Sequence, residues 1–113
     1  MNLRLKKVNE LIKQEAGSLI ARELDLSKDI LITVAKAEVS ADLRYADVLV
    51  SVLPAEKKIS TLRALNKNVY QLQQKLNKKL TMKPVPKIRF KLDTVGEYVS
   101  RIDELIGEIH GEE

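Results

Sequence analysis

Between Lys57 and Lys91 the chain carries eleven basic residues and no aspartate or glutamate: Lys57, Lys58, Arg63, Lys67, Lys75, Lys78, Lys79, Lys83, Lys87, Arg89 and Lys91. Ammonium and guanidinium groups at this density attract phosphate oxygens. Each phosphate they neutralise releases condensed counterions, so a polyanion binds strongly even where its bases are not read. The flanks have the opposite sign: residues 1–56 carry a net −1 and residues 92–113 a net −6, so the formal +4 of the 113-residue chain conceals a dipolar molecule. Lysine runs commonly serve only as solvated faces that maintain solubility. The complete lack of acids over this stretch favours a polyanionic partner instead, with nucleic acid ahead of other classes.

Groups suited to covalent chemistry are scarce. His110, the single histidine, stands near an acidic terminus and reads as a solvated surface residue. Cysteine is absent, which excludes disulfides and thiolate metal sites. Asp42 and Asp47 read as turn and edge chemistry rather than as a carboxylate pair. No glycine occurs between Gly17 and Gly96, so no glycine loop can cradle a phosphate there. Nucleophilic, metal-assisted and nucleotide-dependent catalysis all lack their required groups, and neither an enzyme nor a cofactor, metal or small-molecule substrate is expected. The aromatics Tyr45, Tyr70, Phe90 and Tyr98 are too few for a mode that stacks many bases. Because no apolar run approaches the roughly 18 residues of a membrane span and no signal peptide is evident, a cytoplasmic protein is the simplest expectation.

The elements that position these charges follow from periodicity. At 113 residues and 44% hydrophobic content, residues 1–113 suit one small domain, expected to be monomeric. From Leu3 to Glu23, Leu5, Val8, Leu11, Ile12, Leu19 and Ile20 recur at the spacing of one buried helical face. Ile30 to Val39 is rich in β-branched residues and reads as a strand. Arg44 to Leu53 alternates, with Ala46, Val48, Val50 and Val52 on one side and Asp47, Leu49 and Ser51 on the other. Ser40-Ala41-Asp42-Leu43 would join the two as a hairpin loop, and Pro54 would end the second strand. In the next helix Leu62, Leu65, Val69, Leu72, Leu76 and Leu80 form a narrow apolar stripe, opposite Arg63, Lys67, Lys75 and Lys78. Gln71 and Gln74 share that basic sector. After Pro84 and Pro86, Ile88, Phe90 and Leu92 alternate with Lys87, Arg89 and Lys91, so a third strand would be apolar inside and cationic outside. Asp93 is placed to cap a last amphipathic helix carrying Val95, Tyr98, Val99, Ile102, Leu105, Ile106 and Ile109. The fold class is therefore α+β, a three-stranded mixed sheet packed against helices.

The stretch from Ala37 to Leu53, Ala-Glu-Val-Ser-Ala-Asp-Leu-Arg-Tyr-Ala-Asp-Val-Leu-Val-Ser-Val-Leu, resembles the Val-Glu-Val-Ser-Pro-Asp-Leu-Arg-x-Ala-x-Val-x-Val-Ser signature of the ribosome-binding factor A family of bacterial small-subunit assembly factors. A second block, Val85-Pro86-Lys87-Ile88-Arg89-Phe90 with Asp93 and Arg101-Ile102-Asp103-Glu104-Leu105, is similar to the end of that family's domain, and the element order agrees. The resemblance implies a KH-like domain of type II topology, α-β-β-α(-α)-β-α. It also implies a non-catalytic factor that binds 16S rRNA and the free 30S subunit and assists late assembly and rRNA processing, most needed in the cold. The departures are as specific. The Ala-x-Gly kink usual in the family's long helix aligns with Asn68-Val69-Tyr70, which has no glycine, so an unbroken helix and one restarted by Asn66 or Asn68 both remain open. Ala41 replaces the family's proline, Leu26-Ser27-Lys28-Asp29 replaces its Asp-Pro-Arg motif, and the basic tail of many relatives is replaced by Gly111-Glu112-Glu113.

The expected RNA contacts are Arg63, Lys67, Lys75, Lys78, Lys79, Lys87, Arg89 and Lys91, with Arg4, Lys7 and Lys83 at the rim, all reading phosphate and shape rather than bases. The alternative is an adaptor that offers a sheet edge or the acidic last helix to a ribosomal protein or an assembly GTPase.

Overall fold

The apolar spacing of residues 3–23 is realised as a helix, α1 (Leu3–Glu23), in the computed structural model, which describes residues 3–24, 26 and 28–93. Val8, Ile12, Ala16, Leu19 and Ile20 are buried, while Arg4, Lys6 and Lys7 face solvent. Leu11, which the spacing places on the buried face, is exposed instead. At 100° per residue it lies a quarter-turn from Ile12, past the edge of the stripe, and the smaller Ala16 fills the buried position.

Two strands follow, β1 (Leu31–Val39) and β2 (Tyr45–Leu53), each beginning one residue later than the pattern suggests. They pair antiparallel, and the register runs Val34↔Val50 and then Lys36↔Leu49. Ala35 is thus an extra residue, a β-bulge. In a regular strand Val34 and Ala37 would point to opposite faces; across the bulge both are buried. The connecting loop is closed by Ser40 and Asp42. The Ser40 hydroxyl donates to the Asp42 carboxylate at 2.6 Å, and the amides of Arg44 and Tyr45 donate to Ser40 Oγ at 3.2 and 3.0 Å. Leu43 adopts φ 62°, the left-handed region that β-bulky residues seldom occupy, and its amide donates to the Ser40 carbonyl. These bonds account structurally for the Ser-x-Asp-Leu-Arg block.

Past Pro54 and a 3-10 turn (Ala55–Lys57), the long basic helix is two helices, α2 (Lys58–Lys67) and α3 (Val69–Lys79). Between them Asn68 has φ −102° and ψ 8°, and its side-chain amide donates to the Ala64 carbonyl at 2.8 Å. A side chain that bonds backbone four residues earlier competes with the helical ladder. The break therefore falls at the segment where the resemblance implies a kink, and it is made by asparagine instead of glycine. The apolar stripe persists through it, with Leu65, Leu72, Leu76 and Leu80 buried and Leu62 and Val69 half-buried.

The last strand, β3 (Lys87–Leu92), pairs parallel to β2, giving a mixed sheet in the order β1-β2-β3. The described helices pack on one face: α1 over β1 and against α3, α2 over β2 and β3, and α3 over β3. Ala46, Val48, Val50 and Val52 of the central strand are fully buried beneath them, as are Ile88 and Phe90 of β3. Burying such a side chain contributes about 1.5 to 3 kcal/mol. Two polar clasps fix the layers. Asn9 Oδ1 accepts from the Val39 amide at 2.8 Å, and the Gln73 side chain accepts from the Ile88 amide and donates to the Pro86 carbonyl. The final helix expected over Val95 to Ile109 lies outside the described residues.

Candidate nucleic-acid interface

The sheet divides the expected contact residues between two surfaces. Because Ile88 and Phe90 turn toward the helices, the intervening Lys87, Arg89 and Lys91 emerge on the opposite face, which none of the described helices covers and which is called the uncovered face below. Arg63 and Lys67 are exposed on α2, and Lys75, Lys78 and Lys79 on α3, on the side of the helix layer that faces away from the sheet. Arg89 and Lys91 therefore do not join the helix cations in one patch. Lys87, at the start of β3, lies at the sheet edge and reaches the cleft beside α3. Arg4 and Lys7 are exposed on the first turns of α1, and Lys83 is exposed in the loop before β3, where its ammonium donates to the Asn77 carbonyl.

The two surfaces differ in how much charge is available. On the uncovered sheet face Asp47 sits opposite Arg89 in the register. Its carboxylate accepts from Arg89 Nε at 3.0 Å and from Lys91 Nζ at 3.1 Å. The Arg89 guanidinium also lies 5.1 Å from the centroid of the Tyr45 ring, a cation–π contact. Nearby, Lys36 pairs with Glu38 at 3.2 Å. The outward side of β3 is thus not the bare cationic strip that its sequence suggests.

On the helix side, α1 supplies acids along one flank only. Glu23 pairs with Lys75 at 3.6 Å and Glu15 with Lys79 at 4.0 Å. Arg63, Lys67 and Lys78 have no acidic partner within 4.0 Å among the described residues. Exposed Gln71 and Gln74 add neutral hydrogen-bonding groups beside them. A solvent-exposed pair such as Lys75–Glu23 contributes only about 0 to 1 kcal/mol. An incoming phosphate can compete for its lysine, whereas Asp47 holds two cations at once from a more sheltered position.

Asp47 is the residue that sequence reasoning misjudged. It reads there as turn and edge chemistry, yet it stands in the central strand and pairs with two of the three β3 cations. Its place on the Leu49 and Ser51 side of β2 was visible in the alternation, but its partner depends on the parallel pairing with β3, which only the fold supplies. Asp42, by contrast, is the turn residue expected. The Ser40 hydroxyl bond first, and the Arg44 amide second, hold its carboxyl below the ordinary value of 3.8. Arg44 is exposed and lies 3.8 Å from Asp42, so it belongs to the loop's own electrostatics. Among the described residues no group of three or more His, Asp or Glu side chains is arranged to hold a metal, and no helix is long and apolar enough to cross a membrane.

The family model of ribosome-binding factor A matches residues 4–106. The crystal structure of ribosome-binding factor A from Thermus thermophilus superposes with a TM-score of 0.67 at 22% identity, covering 78% of this chain and 94% of the other. A Thermotoga maritima protein assigned as a ribosome binding factor A, solved by NMR in solution, is 31% identical. It gives a TM-score of 0.57 and covers 74% of this chain and 84% of its own. A homology model of the Thermus thermophilus factor, fitted into the cryo-EM map of its complex with the 30S subunit, gives 0.65 at 24% identity, covering 75% and 90%.

Proposed function

The chain belongs to the ribosome-binding factor A family, and from that premise we propose that it is a non-catalytic, cytoplasmic maturation factor that docks on 16S rRNA of the free 30S subunit or its precursor. The protein occupies its site as a monomeric, single RNA-binding domain, through electrostatic contact with backbone phosphates, while late folding and processing of the RNA are completed. The observation that carries this reading is the group Arg63, Lys67 and Lys78, exposed on α2 and α3 without acidic partners among the described residues. Lys75, Lys79, Lys83 and Lys87 extend it. Association should therefore be strongly salt-dependent. For about five to eight phosphate contacts, log K against log salt should have a slope of roughly −4 to −7. The measurement is equilibrium binding of the full chain to purified small-subunit precursors across a salt series.

A second reading has an observation of its own. Leu31 and Leu53 face each other across β1 and β2 and are 59% and 56% exposed, an apolar pair at one end of the uncovered sheet face. An adaptor that docks on a protein there would show a salt slope near zero. That result would replace the RNA reading.

A further inference from the structure

The uncovered sheet face has an apolar centre line. Of the large apolar side chains that stand exposed among the described residues, Leu31, Tyr45 and Leu53 share this face, whereas Leu3, Leu11, Ile59 and Tyr70 are scattered singly over the helices. Along β2 the line runs through Leu53, the half-buried Leu49 and Tyr45, one at every fourth residue. Leu31 adjoins Leu53, and the register sets Lys36 and Lys91 on either side of Leu49. Over the whole face four cations, Lys36, Lys87, Arg89 and Lys91, stand against two acids, Glu38 and Asp47. The chain leaves the sheet where the line begins. The Asp93 amide donates to the Val50 carbonyl at 2.7 Å, which holds the chain beside β2 and delivers residue 94 to the end that carries Leu31 and Leu53.

The sequence beyond Asp93 has the matching pattern. Its apolar residues from Val95 to Ile109 recur at helical spacing, and residues 94–113 carry six acids against Arg101, a net −5. A helix over the 15 residues 95–109 is about 22 Å long and 10 to 12 Å across. A nine-residue strand such as β2 is roughly 30 Å long, and the outer strands of a three-stranded sheet are roughly 10 Å apart, so one such helix fits the face. The distances along it agree as well: Asp103 follows Val95 by about 12 Å of helix, and Leu49 precedes Leu53 by about 13 Å of strand. At 100° per residue Asp103 borders the apolar stripe, at the level of the lysines beside Leu49, while Glu97, Glu104 and Glu108 point away from it. A helix this short, with Gly107 inside it, needs a surface on which to bury its stripe.

We propose that residues 95–109 form that helix and lie along the uncovered face, antiparallel to β2, with the stripe on Leu31, Leu53 and Leu49 and the remaining acids turned to solvent. The protein then presents cations on its helix layer and carboxylates on the opposite side, so its approach to a polyanion is one-sided. Because β3 is an edge strand, Arg89 and Lys91 stay reachable at the margin of the cover. The inference goes beyond the RNA reading and does not depend on it. It competes with a partner protein for Leu31 and Leu53.

The test uses the full chain, free of partners. It has no cysteine, so a nitroxide can be placed at a single engineered position. A label at Ser51→Cys, exposed on the uncovered face, should broaden the amide resonances of residues 98–106, and a label at Gln71→Cys, exposed on α3, should leave them sharp. In hydrogen exchange the same amides should be protected in the wild type and exchange roughly 10- to 100-fold faster when Leu31→Ser and Leu53→Ser are combined, the range that follows from losing the burial of two leucines. Both leucines are exposed, so the sheet should persist, and unchanged exchange in β2 is the control. Unprotected amides in the wild type would overturn the cover. Broadening from the Gln71→Cys label in place of the Ser51→Cys label would overturn it too, moving the acidic segment onto the helix cations. Protection that grows with protein concentration would assign the face to a second copy of the chain and would equally overturn it. None of these readouts involves RNA, so their failure leaves the salt slope of subunit binding as a separate test.

Discussion

The two faces of the sheet use their cations differently. On the uncovered face, Arg89 and Lys91 are bound to Asp47, Lys36 to Glu38, and Tyr45 lies against Arg89. On the helix-covered side, Arg63, Lys67 and Lys78 project from α2 and α3 with no acidic partner among the described residues. The comparison teaches that formal charge in a sequence is not the charge a partner meets. A strand cation lies across from residues of its neighbour strand and can be neutralised by one acid, whereas a helix cation on the outward face is beyond the reach of the sheet. The helix layer is therefore the better candidate for phosphate, and the open face behaves as an ion-paired surface.

The largest expected effect breaks the scaffold under the helix face. Leu76 is fully buried between α3 and the core, so Leu76→Ala should cost about 2 to 5 kcal/mol and lower the thermal midpoint by many degrees. RNA binding should fail with it at temperatures above that midpoint and persist below, which calorimetry and binding measured in parallel would resolve.

A sharper comparison comes from removing the acid that silences the open face. Asp47→Asn releases Arg89 and Lys91 from their shared carboxylate while keeping the side-chain volume. Stability should fall by about 1 kcal/mol at most, because the pairs are solvent-accessible. Binding to RNA of any sequence should strengthen, with the salt slope steeper by about 1 to 2, since two cations become available for phosphate. No change in slope would show that the open face is inaccessible to RNA for reasons other than charge.

The smallest effect concerns Thr61, buried on α2 beneath the cationic side, whose hydroxyl has no hydrogen-bond partner among the described residues. Thr61→Val keeps the β-branched shape and removes the stranded polar atom, so it should stabilise the protein by about 1 kcal/mol. RNA affinity should not move. A stability loss in chemical denaturation would mean the hydroxyl is satisfied after all.

Much of the fold is legible in the sequence wherever one periodicity governs a whole element. The bounds of α1 at Leu3 and Glu23 follow from its stripe, and the burial of Ala46, Val48, Val50 and Val52 follows from alternation in β2. The bulge at Ala35 was not legible, because one inserted residue leaves a β-rich composition unchanged while reversing which residues face inward. Nor could the break at Asn68 be decided, since the apolar stripe continues across it and asparagine caps or bends only in context. For the site, the cations themselves were plain to see. Their division between two surfaces was not, because pairing between β2 and β3 is parallel and its register is set by the crossover through α2 and α3.

The central claim is that RNA meets the helix layer and not the open sheet face. Its most direct measurement compares two variants of equal charge change, Lys67→Glu with Lys78→Glu on the helices and Arg89→Glu with Lys91→Glu on β3, in binding to purified small-subunit precursors at matched salt. Both should stay folded, with stability changes of about 1 kcal/mol or less. The helix pair should lose most of the affinity and reduce the salt slope by about 2, and the strand pair should lose much less. If the strand pair is the weaker binder, or if the helix pair binds like wild type, the assignment of the RNA surface to α2 and α3 is wrong.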